Sequence, residues 1–315
     1  MAHYRSFRNT DAPQLVRIWN ECFTGRGAVR LRSSGALEDR VFAKTYFDPA
    51  GLIVAEAADE CAGFVHAGMG PNEAGTDLAP AAGVVCALGV RPDFRKRGIA
   101  AELLRRAEAY LTERGARELY AGPHWPLDPF YFGLYGGSGA AGFLASDPHA
   151  EPFFTHAGYE PCRRFTVWQK KVKQPPRASD PRMLSHRQQY ELRLSPRLRD
   201  SWWRECIFCL IETPEFFLED KRTKDVVARA RVWEMEGFSA RWNAASVGIL
   251  DVQVSESHRR RGLAKYLISL LLRHLQDQFF EIAEVQVEES NAAALGLFRS
   301  LGFDLVDTGK VFRKK

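Results

Sequence analysis

Two short basic runs carry the residues best suited to chemistry: Arg95-Lys96-Arg97-Gly98-Ile99-Ala100 and Arg259-Arg260-Arg261-Gly262-Leu263-Ala264. Each follows an apolar stretch ending in valine, Val90 or Val254, and each leads into an amphipathic pattern. A basic, glycine-containing loop that feeds a helix suits phosphate. The unpaired N–H groups and partial positive charge of a helix N-terminus attract anions. Glycine lets the backbone turn and approach a ligand closely, and arginine pairs readily with phosphate oxygens. One such run reads equally well as a solvated charge cluster capping a helix. Two in the same context, 259 − 95 = 164 positions apart, point to a repeat of domain size.

The elements that must position these loops can be read from periodicity. In the first half, "HYRSFR" alternates like a strand and "APQLVRIWNECF" like a helix. "GLIVAEAADECAGFVHAGMG" reads as two strands turning at 58–60, and "AAGVVCALGV" as a third. After the basic run, Ala100, Leu103, Leu104, Ala107 and Leu111 mark a helix face that Gly115 ends. "RELYAG", a helix at 149–157 and "RFTVWQKK" follow. The second half repeats the order. "YELRL", "VVARARVWEM", "GFSARWN" and "SVGILDVQV" read as strands, and "WWRECIFCLI" as a buried helix or strand. Leu267, Ile268, Leu271, Leu272 and Leu275 then line a helix. "IAEVQVE" is a strand, 291–301 a helix, and "FDLVDTGKVFRK" a final strand pair. The proline-rich segment between the halves places a linker at 173–186, dividing the chain into domains 1–172 and 187–315.

Composition bounds the rest. With 315 residues, 45% apolar and 12% aromatic, the chain has material for two cores. The net charge of +5 divides into +2 (21 basic, 19 acidic) through residue 173 and +3 (23 basic, 20 acidic) afterwards. So even a spread argues against a nucleic-acid partner and leaves room for an anionic small ligand. No apolar run is long enough for a membrane span, and the N-terminal residues lack the apolar region of a signal peptide. The six cysteines fall mostly in apolar stretches, which suits a cytoplasmic location. Cys206 and Cys209 have metal-ligand spacing without a second pair, so no metal site is expected.

Two further stretches complete a pattern. "NAAALGLFRSLGF" holds Asn291, Ala294, Leu297, Phe298, Gly302 and Phe303; "DPHAEPFFTHAGY" holds Asp147, Ala150, Phe153, Phe154, Gly158 and Tyr159. With the two basic loops, these resemble the GNAT superfamily of acyl-CoA-dependent N-acyltransferases. That family joins a strand ending in Val to Arg/Gln-x-x-Gly-x-Gly/Ala and a helix. It later carries Asn-x-x-Ala-x-x-Leu-Tyr-x-x-x-Gly-Phe. The resemblance covers nearly the whole chain. It implies an α/β fold (α+β mixed sheet) of two tandem GNAT-like domains, each a twisted mixed β-sheet flanked by helices.

It also implies acetyl-CoA as cofactor and an amine acceptor, either a small molecule or a peptide. Backbone groups of Leu88, Gly89 and Val90, and of Val252, Gln253 and Val254, would hold the pantetheine arm. The loops Arg95–Ala100 and Arg259–Ala264 would hold the pyrophosphate, with Asn291, Phe154 and Phe298 nearby. A neutral amine would attack the thioester directly, which requires a proton acceptor and an oxyanion donor. The family's tyrosine is replaced by Phe154 and Phe298, neither of which can donate a proton. Asp251 is a candidate base or a structural strand residue. Asn291 reads equally as a helix cap.

The halves differ at 122–146, an aromatic- and glycine-rich insertion in the first. It reads as a substrate lid, with His124, Asp128, Tyr131 and Tyr135 as acid–base candidates, or as a flap packed between domains. The expected function is N-acetyl transfer from acetyl-CoA. The alternatives are a non-catalytic acyl-CoA sensor or scaffold, and a nucleic-acid-associated protein using its basic runs.

Overall fold

The computed structural model describes residues 2–58, 60–173, 182–195 and 201–315. Its first half runs β1 (His3–Ser6), α1 (Ala12–Cys22), the short α2 (Gly35–Leu37), β2 (Leu52–Ala57), β3 (Glu60–Pro71), β4 (Leu78–Val90), α3 (Ile99–Glu113), β5 (Glu118–Ala121), β6 (Phe143–Leu144), α4 (Ala150–His156) and β7 (Tyr159–Lys171). The second runs α5 (Met183–Gln189), β8 (Tyr190–Ser195), α6 (Trp202–Phe208), β9 (Glu215–Asp220), β10 (Val226–Glu234), α7 (Glu236–Trp242), β11 (Ser246–Val254), α8 (Leu263–Asp277), β12 (Ile282–Glu288), α9 (Ala292–Ser300) and β13 (Asp304–Lys314). Of the expected linker, 174–181 lies outside the described residues, and 183–186 forms the start of α5. Part of the expected turn at 58–60, Asp59, also lies outside them.

All these strands join one mixed sheet in the order β1-β2-β3-β4-β5-β13-β7-β12-β11-β10-β9-β8, with β6 also paired to β13. The two halves exchange their last strands. β7, from the first half, pairs antiparallel with β12 from Ile282↔Lys171 to Glu288↔Phe165. β13, from the second half, pairs with β5 at Phe312↔Ala121 and with β7 along most of its length. The cores follow the exchange. Trp168 and Val172 pack with the buried α8 face of Leu267, Ile268, Leu271, Leu272 and Leu275. Phe312 packs with the α3 face of Leu103, Leu104, Ala107 and Leu111.

Two segments differ from the sequence reading. "GFSARWN" forms helix α7, not a strand. Phe238 and Trp242 lie four residues apart with their rings 5.3 Å from each other, and Asn243 ends the helix in the left-handed region at φ 53°. "FDLVDTGKVFRK" is one long strand with a register shift between Leu305 and Asp307, not two. Its Thr-Gly pair resembles a turn signal, but Gly309 is needed for close packing. A Cβ there would run into the Ala141 carbonyl oxygen.

The insertion is built into the interface between the halves. Leu127, Phe130, Tyr131, Phe132 and Leu134 join Trp19 and Phe64 of the first half and Trp203, Ile207, Phe208, Trp233 and Phe238 of the second in one core. Exposing such side chains costs roughly 1.5–3 kcal/mol each, so the segment is a packed flap and does not open as a lid. Its glycine turn is fixed by Glu284, which is fully buried on β12. The Glu284 carboxylate accepts from the Ser138 amide (2.7 Å), Gln169 Nε2 (2.7 Å) and Arg26 Nη2 (3.2 Å). Gly137 has φ +88°, and a Cβ on it would collide with Glu284 Oε1. Gly137→Ala therefore introduces left-handed strain and displaces a buried hydrogen-bonded carboxylate. It should lower stability by at least about 2 kcal/mol, read from the shift of the urea unfolding midpoint against wild type.

Candidate active site

The two basic loops adopt the same backbone. A short 3-10 turn precedes each, Pro92–Phe94 and Glu256–His258. Lys96 (φ 59°) and Arg260 (φ 61°) are left-handed, as are Gly98 (φ 78°) and Gly262 (φ 85°) at the N-caps of α3 and α8. Left-handed residues alternating with residues of negative φ turn successive backbone N–H groups inward as an anion cradle. Ile99 and Leu263 send their side chains into the cores, so only their backbone faces the loop. Ala100 and Ala264 are half-buried at the first turn. Lys96, Arg97, Arg259, Arg260 and Arg261 are exposed, with Arg97 donating to the Asp93 carbonyl at 2.8 Å. Beside Gly262 lies the Arg182 guanidinium, 3.0 Å from where a Cβ would stand.

The strands ahead of the loops diverge in both halves. β4 pairs parallel with β5 from Ala82↔Glu118 to Val85↔Ala121. β11 pairs parallel with β12 from Ser246↔Ile282 to Ile249↔Val285. Beyond these pairs each strand carries a bulge, at Cys86 opposite His66–Ala67 and at Asp251–Val252 opposite Arg229–Arg231. Asp251 has φ 52°. The sequence held a signal for this second bulge, since aspartate is poor in strands yet tolerates left-handed backbone.

From here the halves part. In the second, the divergence leaves a cleft of about 760 Å³ lined by Val252, Gln253, Val254, Arg259, Ala264, Asn291, Leu297 and Phe298. Asn291 accepts from the Ala294 amide at 3.0 Å, capping α9. Phe298 is buried edge-on to Phe303 at 5.1 Å. In the first half, Gly89 and Val90 are buried and Leu88 half-buried. A Cβ on Gly89 would stand 3.3 Å from Cys22 of α1. Phe154 stacks on Phe143 at 5.0 Å and on Phe312 at 5.8 Å. Arg95 Nη1 lies 3.1 Å from His149 Nε2, joining the loop to the N-cap of α4. About 10 Å³ remains around Cys86, Asp128, Tyr131 and Tyr135.

The acid–base candidates of the insertion sit in packed surroundings. The Tyr131 hydroxyl lies 3.1 Å from buried His66 Nδ1, and the Tyr135 hydroxyl accepts from the Leu144 amide at 3.0 Å. Burial drives the pKa of both tyrosines up. His124 is buried and lowered to about 4, chiefly by desolvation. His66, which the sequence reading did not single out, is lowered to about 3 by the same cause. None of these lines the second-half cleft; Trp125, next to His124, lies against Arg204 and accepts from Arg163 through its carbonyl.

Next to that cleft in β11, Asp251 is held by Arg204 of α6. Nη2 donates to Oδ1 at 2.9 Å and Nη1 to Oδ2, while Arg231 Nε lies 3.8 Å from Oδ2. Glu288, at the end of β12, is paired with Arg163 at 2.8 and 2.9 Å, which holds its carboxyl below the usual range. Sequence alone gave no sign of these partners, because arginine on another element pairs without any local spacing rule.

Residues 12–131 and 181–303 match the sequence profile of the Acetyltransferase (GNAT) family. The chain belongs to the GNAT acetyltransferase family. As a GNAT protein it is an acyltransferase. It is similar to an acetyltransferase of Sodalis glossinidius, 31% identical over 115 residues, covering 36% of this chain and 70% of that protein. A Pectobacterium atrosepticum acetyltransferase is 32% identical over 116 residues, covering 37% and 72%. Solved structures share the fold over 99% of the chain. A tandem GNAT protein from the clavulanic acid biosynthesis pathway has TM-score 0.70, 15% identity and 98% of its length covered. A GCN5-related N-acetyltransferase from Sphaerobacter thermophilus has TM-score 0.66, 16% identity and 95% covered. A fungal glucosamine N-acetyltransferase region within a larger glycosidase has TM-score 0.74 at 13% identity, and the chain spans 38% of that protein's length. Among the described residues no helix is long and apolar enough to cross a membrane.

The packed first-half centre has a pH consequence. Asp128 is buried, and desolvation raises it from 3.8 to about 8. A carboxyl with a raised folded-state pKa contributes fully below its unfolded value, and that contribution is lost as pH rises to the folded one. Stability should therefore decline between about pH 4 and 8, by at most about 1.4 kcal/mol per pH unit from this group. Asp128→Asn should flatten the decline, as measured by urea midpoints at pH 5 and 8.

Proposed function

We propose that the second half is the working centre: it takes the acetyl thioester of coenzyme A between β11 and β12 and delivers the acetyl group to an amine. The observation that carries this reading is that the second-half cleft of about 760 Å³ brings Val252–Val254, Arg259 and Ala264 together with Asn291 and Phe298, whereas the first-half cleft of about 640 Å³ lies along α4 with Asp147 and Ala150 and includes no residue of the 95–100 loop. The residues present fit the coenzyme. The left-handed loop with Gly262 and its arginines suits a pyrophosphate. Val252, Val254, Ala264 and Leu297 offer a narrow apolar slot for the pantetheine arm, and the exposed backbone beyond the bulge offers it hydrogen bonds. When bound, the coenzyme supplies an activated acyl group as a thioester. The first half, with a similar loop but a filled slot, serves as a structural partner.

The chain's own residues then have distinct tasks. Amides at 259–264 bind and orient the phosphates. The Val252 amide, beyond the bulge, is the N–H donor placed to meet an oxyanion. Asp251, beside it, receives the incoming amine and takes its proton, with Arg204 fixing the carboxylate's direction. Phe298 fills the position of the family's tyrosine and has no proton that it could donate to a departing thiolate.

Titration calorimetry with acetyl-CoA tests the first part. One site is expected, abolished by Gly262→Glu and retained in Gly98→Glu. Loss with Gly98→Glu alone would move the centre to the first half. Asp251→Asn should lower kcat by about 10²-fold or more with acetyl-CoA affinity unchanged. Phe298 and the Arg204-held Asp251 also favour a second reading, a coenzyme-binding sensor. Its signature is tight binding with no transfer to any amine.

A further inference from the structure

We propose that Trp125, contributed by the first half's insertion, selects the acceptor at the second-half centre, and that the acceptor is a primary amine on a flat apolar body. This rests on the coenzyme-cleft reading above and adds the second substrate to it.

Large apolar side chains belong inside, and the insertion's Phe130, Tyr131, Phe132 and Phe143 obey that rule. Trp125 does not, with 43% of its surface exposed. Its position is nevertheless fixed from both diverging strands. On the β11 side, the Arg204 guanidinium lies 4.5 Å from the indole centroid and grips Asp251. On the β12 side, the Trp125 carbonyl accepts from Arg163 Nη1 at 3.2 Å, and the same arginine grips Glu288. The neighbouring backbone is pinned as well, since Trp203 Nε1 donates to the Pro126 carbonyl at 2.8 Å and the His124 amide to the Leu127 carbonyl at 3.1 Å. An exposed indole on a fixed backbone thus stands across the mouth of the splay, one ion pair away from Asp251.

The chemistry of that mouth narrows the acceptor. Asp251 and Glu288 are each matched by a two-pronged arginine, which leaves aromatic surface as what the site adds for recognition. Arg204 covers one part of the ring, and the exposed remainder suits a planar apolar group stacked against it. An amino group on a short arm from such a body reaches toward the Asp251 bulge, where the thioester carbonyl is expected.

Calorimetric titration of the full chain saturated with coenzyme A tests this, using phenethylamine and n-butylamine as probes. Wild type should bind phenethylamine at least about tenfold more tightly than n-butylamine. Trp125→Ala should abolish the preference, and Trp125→Phe should restore most of it. Acetyl-CoA affinity should be the same in all three proteins. Equal affinity for the two amines, binding of neither, or a preference that survives Trp125→Ala overturns the Trp125 assignment alone. So does loss of acetyl-CoA affinity in Trp125→Ala, which would mark a structural residue. Failure of wild type to bind acetyl-CoA sinks the cleft reading itself.

Discussion

A buried carboxylate ties three segments of the two halves together. Glu284 stands in the middle of the sheet and is bonded to the loop after α1, to the glycine turn of the insertion and to β7. Burial raises its pKa, while Arg26, the Ser138 amide and Gln169 pull it back down. An unpartnered charge there would be costly, so the carboxylate demands its donors, and they come from three separate segments. Meeting that demand brings the insertion against β12. Trp233, whose indole donates to the Ser138 carbonyl at 2.9 Å, and Gln286, which donates to the Gly136 carbonyl, complete the seat. Once the glycine turn is seated, the aromatic run before it has no place except the interface, and Trp125 at its start is carried against Arg204, the partner of Asp251.

The same packing accounts for the asymmetry between two loops of like sequence and like dihedral angles. A phosphate cradle is a local property of five or six residues, and both copies keep it. A slot for a long flexible arm depends on what lies between two strands. In the first half, α1, the insertion and α4 send Cys22, Tyr135, Phe143 and Phe154 into that space or its walls. In the second half β12 continues straight past the divergence as far as Glu288, held by its pairing with β7, and the space stays open.

The sequence made visible what is encoded within a few residues: the basic loops, the apolar faces of α3 and α8, the strands ahead of them and the helix cap at Asn291. It did not reveal what depends on remote partners. Nothing local to β13 says that it pairs with β5, and its Thr308-Gly309 step does not by itself tell a turn from a close approach, since glycine marks both. The role of 122–146 was undecided for a similar reason, since aromatic content suits a lid and a packed flap equally. Asp251 was visible as an acid in a strand, but its partner Arg204 lies 47 residues earlier on a helix with no spacing relation to it.

The exchange of β7 and β13 also sets the order in which the chain can become native. During synthesis the first half emerges with β5 as an unpaired edge, because the strand that covers it lies 312 − 121 = 191 positions later at the Ala121–Phe312 pair. β7, already made, must wait for β12 on its other side. Neither half can close its sheet alone, so the usual sequence of one domain finishing before the next begins does not apply to this chain. Its nascent first half presents open strand edges until nearly all of its residues are available, the condition under which edge-to-edge association between molecules competes with folding.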